Sequence, residues 1–164
     1  MITFEKVTTD KQIETLALLA SEIWHNYWTI ILSIEQIDYM VEKFQSKNAI
    51  YNQIQNEKYT YYFIRQNGID IGYFGISEKE NYLFLSKLYI KKDYRNKGIG
   101  QQAFEKIKTI TKEKNYSNII LTVNKYNENT ITAYQKWGFK TINSVVTDIG
   151  NGFVMDDYIM KYNL

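Results

Sequence analysis

The segment from Leu83 to Asn115 restricts the fold more than any other. An apolar run, Leu83 to Ile90, leads into Arg95-Asn96-Lys97-Gly98-Ile99-Gly100. A helical pattern follows, with Ile99, Ala103, Ile107 and Ile110 on one side, and then the continuous apolar run Asn118 to Asn124. A strand, a helix and a second buried strand return to one sheet by a crossover that sets the two strands parallel. The loop adds chemistry: a basic, glycine-bearing turn that passes at once into a helix presents unpaired N–H groups and the positive end of the helix dipole to one spot, which suits a phosphate. Gly98 and Gly100 let the main chain approach such a group without a Cβ in the way. Within the first strand, Leu83 and Leu85 hold one phase of the alternation and Leu88 and Ile90 the other. One extra residue near Ser86-Lys87 therefore predicts a β-bulge, which leaves backbone groups unpaired and splays the strand from its neighbour.

The rest of the chain supplies a mostly antiparallel frame. Residues 2 to 7 alternate as a first strand, and Thr8-Thr9-Asp10 offer caps for an amphipathic helix with Ile13, Leu16, Ala17, Ala20, Ile23, Trp24 and Tyr27 at spacings of three and four. His25, the only histidine, projects away from that stripe. Ser33-Ile34-Glu35-Gln36 has the capping-box pattern and opens a second helix to about Phe44. Glu35, Asp38 and Glu42 share one of its faces, either as solvated surface or as a seat for a cationic substrate. A shorter helix follows from Asn48 to Gln55. Tyr59 to Gln66 and Ile69 to Ser77 predict a hairpin about Asn67-Gly68. Asn127 caps a helix through Tyr134 to Trp137 that Gly138 stops. Phe139 to Asp148 and Phe153 to Tyr162 close the chain as a hairpin through Gly150-Asn151-Gly152. Counting the short helix apart, the order is β-α-α-β-β-β-α-β-α-β-β. It predicts a mixed α+β fold in a single domain, residues 1–164, with helices flanking a mostly antiparallel central sheet.

Composition narrows the partners. A net charge of +2 over 164 residues is too small to draw in nucleic acid or a membrane by bulk electrostatics. Five basic residues (Lys87, Lys91, Lys92, Arg95, Lys97) against one acid, Asp93, gather at the glycine loop, either as a solvated charge run or as company for a bound phosphate. No apolar run approaches the roughly eighteen residues of a membrane span. The absence of cysteine excludes thiolate metal ligands and a thiol nucleophile, and no metal is expected. The first residues lack a basic stretch followed by an apolar one, so no secretory signal is predicted and a cytoplasmic location is expected.

With these elements placed, the sequence resembles the GCN5-related N-acetyltransferases, the GNAT family. Arg95-Asn96-Lys97-Gly98-Ile99-Gly100 matches the family's [Arg/Gln]-x-x-Gly-x-[Gly/Ala] acetyl-CoA loop. Leu88-Tyr89-Ile90 ends the strand five residues before Arg95. Asn127 is followed seven residues later by Tyr134-Gln135-Lys136-Trp137-Gly138-Phe139, like the family's Asn…Tyr-x-Lys-x-Gly-Phe ending. The resemblance implies the GNAT fold, splayed between strands four and five, with acetyl-CoA as co-substrate and direct acetyl transfer to a primary amine in a ternary complex. It implies that Arg95 to Gly100 wrap the CoA pyrophosphate and that pantetheine lies beside Leu88, Tyr89 and Ile90. It further implies that the Leu88 N–H polarises the thioester carbonyl, that Tyr134 protonates the departing thiolate, and that Asn127 and Lys136 contact the cofactor or fix the helix. The segment Asp148 to Met160 looks like the ending of a branch that includes bacterial polyamine acetyltransferases, which points to a small amine as acceptor; a monomer or homodimer is expected.

Ser86-Lys87 stands where many relatives place a Glu on the bulged strand. That departure leaves the general base open, and with it two other readings: a protein or N-terminal amine acetyltransferase, and a non-catalytic acyl-CoA sensor. An alkylamine is neutral only about once in 2,500 at pH 7, which costs roughly 4.6 kcal/mol unless something takes the proton. Candidate acceptors for that proton are waters held by strand carbonyls, Glu35 or Asp38, and the pair Asp156 and Asp157, which alternation sends to opposite faces of one strand. Trp24, Tyr27, Trp28 and Tyr39 are the aromatic candidates for an acceptor pocket, with Glu35 and Asp156 as polar contacts.

Overall fold

The first helix begins where the sequence places its caps. The Thr9 hydroxyl accepts the Gln12 N–H at 3.1 Å while the Gln12 side chain takes the Thr9 N–H at 3.0 Å. This reciprocal cap satisfies two otherwise orphaned donors and fixes the start of α1, Asp10–Tyr27. In the computed structural model, which describes residues 1–164, α1 follows strand β1, Ile2–Lys6. After a short 3-10 turn, Trp28–Ile30, come α2, Ile34–Gln45, and α3, Lys47–Asn56. Only half of the expected box forms at α2: Ser33 accepts the Gln36 N–H at 3.2 Å, but the Gln36 side chain donates to the Val154 carbonyl instead.

Strands β2, Tyr59–Gln66, β3, Ile69–Glu78, and β4, Leu83–Ile90, follow as an antiparallel meander. The crossover helix α4, Ile99–Glu113, returns the chain to β5, Asn118–Asn124, parallel to β4. Helix α5, Glu128–Trp137, precedes the closing hairpin of β6, Lys140–Gly150, and β7, Phe153–Asn163. The seven strands lie in the order β1-β2-β3-β4-β5-β7-β6, and β4–β5 is the parallel pair. Apart from one or two residues at several ends, the predicted elements are the observed ones.

Burial follows from this order. One face of the sheet packs on Ile99, Ala103, Phe104, Ile107 and Ile110 of α4, joined by Phe74, Leu121 and Tyr134. The other face packs Tyr61, Phe63 and Tyr73 against Ile13, Leu16 and Ile23 of α1 and Ile50 of α3. Side chains such as Phe63, Phe74 and Phe104, at 1% exposure or less, stabilise the fold by roughly 2–3 kcal/mol each through removal from water. A third cluster, Trp24, Trp28, Ile37, Met40 and Ile149, ties α1 and α2 to the closing hairpin and floors the site described next.

Candidate active site

The predicted bulge is Ser86. Gly75 of β3 opposes Lys87 while the adjacent Ile76 opposes Leu85, so Ser86 has no partner. Pairing of β4 with β5 is confined to Leu83–Ile119 and Phe84–Ile120, and beyond Phe84 the two strands part. The Lys91 N–H donates to the Ile71 carbonyl at 2.8 Å. Donors alternate sides along an antiparallel ladder, so Tyr89 and Lys87 also face β3, while Leu88 and Ile90 present their N–H groups to the open side. Gly72 makes this strand pair possible: a Cβ there would collide with the Tyr89 carbonyl and lie 3.1 Å from the Ile90 Cα.

The loop after β4 turns through left-handed backbone at Asn96 (φ 61°) and Gly98 (φ 79°), and no side chain caps α4. Its first-turn N–H groups are therefore left for a ligand. Gly98 serves the turn itself, since a Cβ there would meet nothing within 4 Å. Gly100 serves packing, since its Cβ would lie 3.3 Å from the Trp137 ring. Arg95 donates from Nε to the Ile90 carbonyl at 2.8 Å and stacks its guanidinium 4.9 Å from the Tyr27 ring centroid. Its Nη2 is buried with no protein partner, and desolvation lowers the pKa of the group.

Two hollows meet at this edge. A groove of about 780 Å³ runs along Leu88, Tyr89 and Ile90, past Arg95, Asn96, Gly98 and Gly100, to Asn127 and Trp137. The free loop donors, the orphaned Arg95 Nη2 and the open strand edge fit a nucleotide diphosphate bearing an extended arm. A cavity of about 270 Å³ lies on the other side, walled by Trp24, Tyr27 and Trp28 and by Lys87, Thr147 and Asp157. Tyr27, Leu88, Tyr89, Asn127, Thr130 and Tyr134 line both.

At the junction Tyr134 is buried and makes no side-chain hydrogen bond to protein, its ring held between Trp137 and Phe139 at 5.5 Å from each. Burial first, and the nearby Tyr27 second, raise its pKa above the ordinary 10.0, so it carries its proton. Asn127 stands at the start of α5 without capping it. Its side chain donates to the Tyr27 hydroxyl, which also bonds Thr130 Oγ1 at 2.7 Å, tying α5 to α1.

The smaller cavity holds two charges. Burial, with Asp156 adding repulsion and Lys125 opposing, pushes the Asp157 carboxyl from 3.8 to about 6, and its Oδ1 is buried without a hydrogen-bond partner. Desolvation pulls the Lys87 ammonium from 10.5 to about 8, against a weak pull from Glu57. Its Nζ donates to Ser86 Oγ at 2.6 Å, and that oxygen bonds the Tyr59 hydroxyl at 3.0 Å.

Of the residues singled out in sequence, Leu88, Tyr89, Ile90, Arg95, Asn96, Gly98, Gly100, Asn127 and Tyr134 come together along the groove, and Trp28 lines the cavity. Others fall outside both hollows. Ile99 is core at 3% exposure, Lys97 extends over the Tyr94 ring, and Lys136 is exposed. Glu35 is exposed on α2, and Asp38 pairs with His25 at 2.6 Å. Tyr39 donates to the Ile149 carbonyl and packs on Phe153. Asp156 pairs with Lys125 at 2.8 Å, so the aspartate that faces the cavity is its neighbour. Lys87 went unrecognised as a cavity residue. The signal available was its position beside the bulge, where the reversed phase sends a side chain inward.

A strand edge opened by a bulge, followed by a glycine turn into a helix and faced by a buried tyrosine, is an acyl-transfer arrangement, and residues 31–161 match the Acetyltransferase (GNAT) domain. The chain belongs to the GNAT N-acetyltransferase family. It is 28% identical over 150 residues to the spermidine N(1)-acetyltransferase of Thermoplasma acidophilum, spanning 89% of this chain and 91% of that protein. The structure superposes on the PaiA N-acetyltransferase of the same organism, solved with coenzyme A, with a TM-score of 0.83 at 25% identity over 100% of this chain and 99% of that one. It also shares its fold with the ribosomal-protein-S18-alanine N-acetyltransferase of Escherichia coli, at a TM-score of 0.71 and 18% identity over 99% and 94% of the two chains. No helix is long and apolar enough to cross a membrane.

Proposed function

We propose that the protein moves the acetyl group of acetyl-CoA directly to a primary amine on a small molecule, with both substrates bound together. The observation that carries this reading is the junction: a long groove and a small cavity share six lining residues, among them Leu88 and Tyr134. The cavity lies just below the roughly 300–1,000 Å³ typical of drug-sized ligands, which favours a small acceptor over a folded protein surface. The relative named for spermidine supports an amine.

Acetyl-CoA, when bound, supplies an acyl carbon already activated as a thioester. The chain's own groups do the rest. The Leu88 N–H, unclaimed by β5, polarises a carbonyl laid against the open edge, a role worth roughly 3–4 kcal/mol in other enzymes. Asp157 holds the acceptor ammonium and takes up its proton, being mostly ionised at pH 7 with a pKa of about 6. Tyr134 donates to the departing sulfur. Its raised pKa makes full proton transfer to a thiolate of ordinary pKa near 8.5 uphill, but the burial that raises the phenol raises a thiolate beside it as well.

The test is Tyr134→Phe, with coenzyme A release followed by thiol titration across a panel of amines. Turnover should fall about 100-fold, the low end for loss of a general acid, while calorimetry shows acetyl-CoA affinity within a factor of two or so of wild type. Unaltered turnover removes Tyr134 from the mechanism. Tight acetyl-CoA binding by the wild-type protein, with no release on any amine, replaces the transferase by an acyl-CoA sensor.

A further inference from the structure

We infer that the amine accepted in the small cavity carries an anionic group, and that Lys87 holds it. This rests on the acetyl-transfer reading above and departs from a bare polyamine as the acceptor.

Lys87 lines the cavity, and its ammonium, which has three donors, makes one hydrogen bond, to Ser86 Oγ. It enters no ion pair, whereas Arg65, Lys91, Lys114 and Lys125 each have a carboxylate. An enclosed ammonium without a paired carboxylate is costly, because burial removes water's solvation and one hydroxyl with a weak pull from Glu57 replaces only part of it. The lowered pKa of Lys87 is the signature of that cost.

Asp157 is the mirror case on the β7 wall, with a buried oxygen that no donor satisfies. The two line one cavity of about 270 Å³ and do not pair with each other. One cavity thus offers two opposite and incompletely partnered charges, with Trp24, Tyr27 and Trp28 among its other lining residues. A molecule with an ammonium for Asp157 and an anion for Lys87 satisfies both. A diamine of the same length satisfies Asp157 and sets a second cation against Lys87, which low polarity makes strongly unfavourable. The shared ligand chemistry is an amine bearing a carboxylate or a phosphate.

Matched pairs separate these sources. Coenzyme A release is measured for cadaverine against lysine, which has the same aminopentyl chain with a carboxylate added, and for ethanolamine against phosphoethanolamine. The anionic member of at least one pair should have a kcat/KM at least about tenfold higher, as expected for one charge-assisted contact. The responding pair identifies carboxylate or phosphate. Lys87→Met should remove most of that advantage through KM, and Lys87→Glu should turn the preference toward the member without the anion. Thermal unfolding of both variants confirms that they are folded, and the wild-type comparison stands without them. Release from cadaverine and ethanolamine at rates equal to or above their anionic partners overturns this inference while leaving the transferase intact. A preference that survives both substitutions in folded protein removes Lys87 from it. Silence toward every amine overturns the inference and the transferase reading together.

Discussion

Asp157→Asn should make the protein more stable and less active. In the native state the carboxyl titrates at about 6 instead of 3.8, so the charged form is disfavoured by folding. A group whose folded pKa is raised contributes stability fully at low pH, and that contribution is lost as pH rises through the folded value. Wild-type protein should therefore lose stability between about pH 4 and pH 7 on account of this residue. Fully converted, the shift corresponds to about 3 kcal/mol. The cavity opens the carboxyl to water, and screening reduces this to about 1 kcal/mol, equivalent to about 2–4 °C in a chain of this size. Calorimetric unfolding should show Asp157→Asn melting higher at pH 7, with the difference vanishing below about pH 3, where both states of the wild type are protonated. In the same variant kcat/KM should fall, and the acid limb near pH 6 should disappear. A variant that melts lower at pH 7, or that keeps both rate and limb, would refute the placement of a strained carboxylate in the cavity.

Gly72→Ala drives a Cβ into the Tyr89 carbonyl, so it should cost about 2 kcal/mol or more by the usual scale for overpacking and weaken acetyl-CoA binding measured by calorimetry. His25 has its pKa raised by the Asp38 hydrogen bond first and the Ser21 carbonyl second. Asp38→Asn should therefore lower stability below about pH 6, where the pair is ionic, by no more than about 1 kcal/mol at this exposed site. At pH 9, where the imidazole is neutral in folded and unfolded protein alike, the two melting points should converge.

The donor side of the site was legible because it is written in backbone requirements. The phase change between Leu85 and Leu88 located the bulge to within a residue, and Arg95 through Gly100 placed the turn at the head of α4. Such features are local, so a linear sequence displays them. Even there, roles diverged: Gly100 lines the groove and also makes room for the Trp137 ring, while Ile99 is core and Lys97 lies over the Tyr94 ring, outside the groove. The smaller cavity was not legible because it assembles α1, α2, β4, β5, α5 and the closing hairpin, six parts spread along the sequence. Alternation showed that Asp156 and Asp157 face opposite ways. It did not show which way, because Lys125, the partner that draws Asp156 outward, belongs to the turn after β5. Tyr39 looked like an aromatic wall and instead spends its hydroxyl on the Ile149 carbonyl. Asn127 looked like a cap and instead reaches across to Tyr27.

Two rungs, Leu83–Ile119 and Phe84–Ile120, are the whole backbone seam between a four-stranded plate and a three-stranded one. The plate ending in β4 carries the groove edge, and the plate of β5, β7 and β6 carries Asp157. The aperture between them is therefore set by side chains wedged near the seam more than by main-chain bonding. Changes in girth at Leu83 or Ile119, neither of which lines either hollow, should widen or narrow the gap between the two plates. The span between groove and cavity is thus tuned at a distance from both.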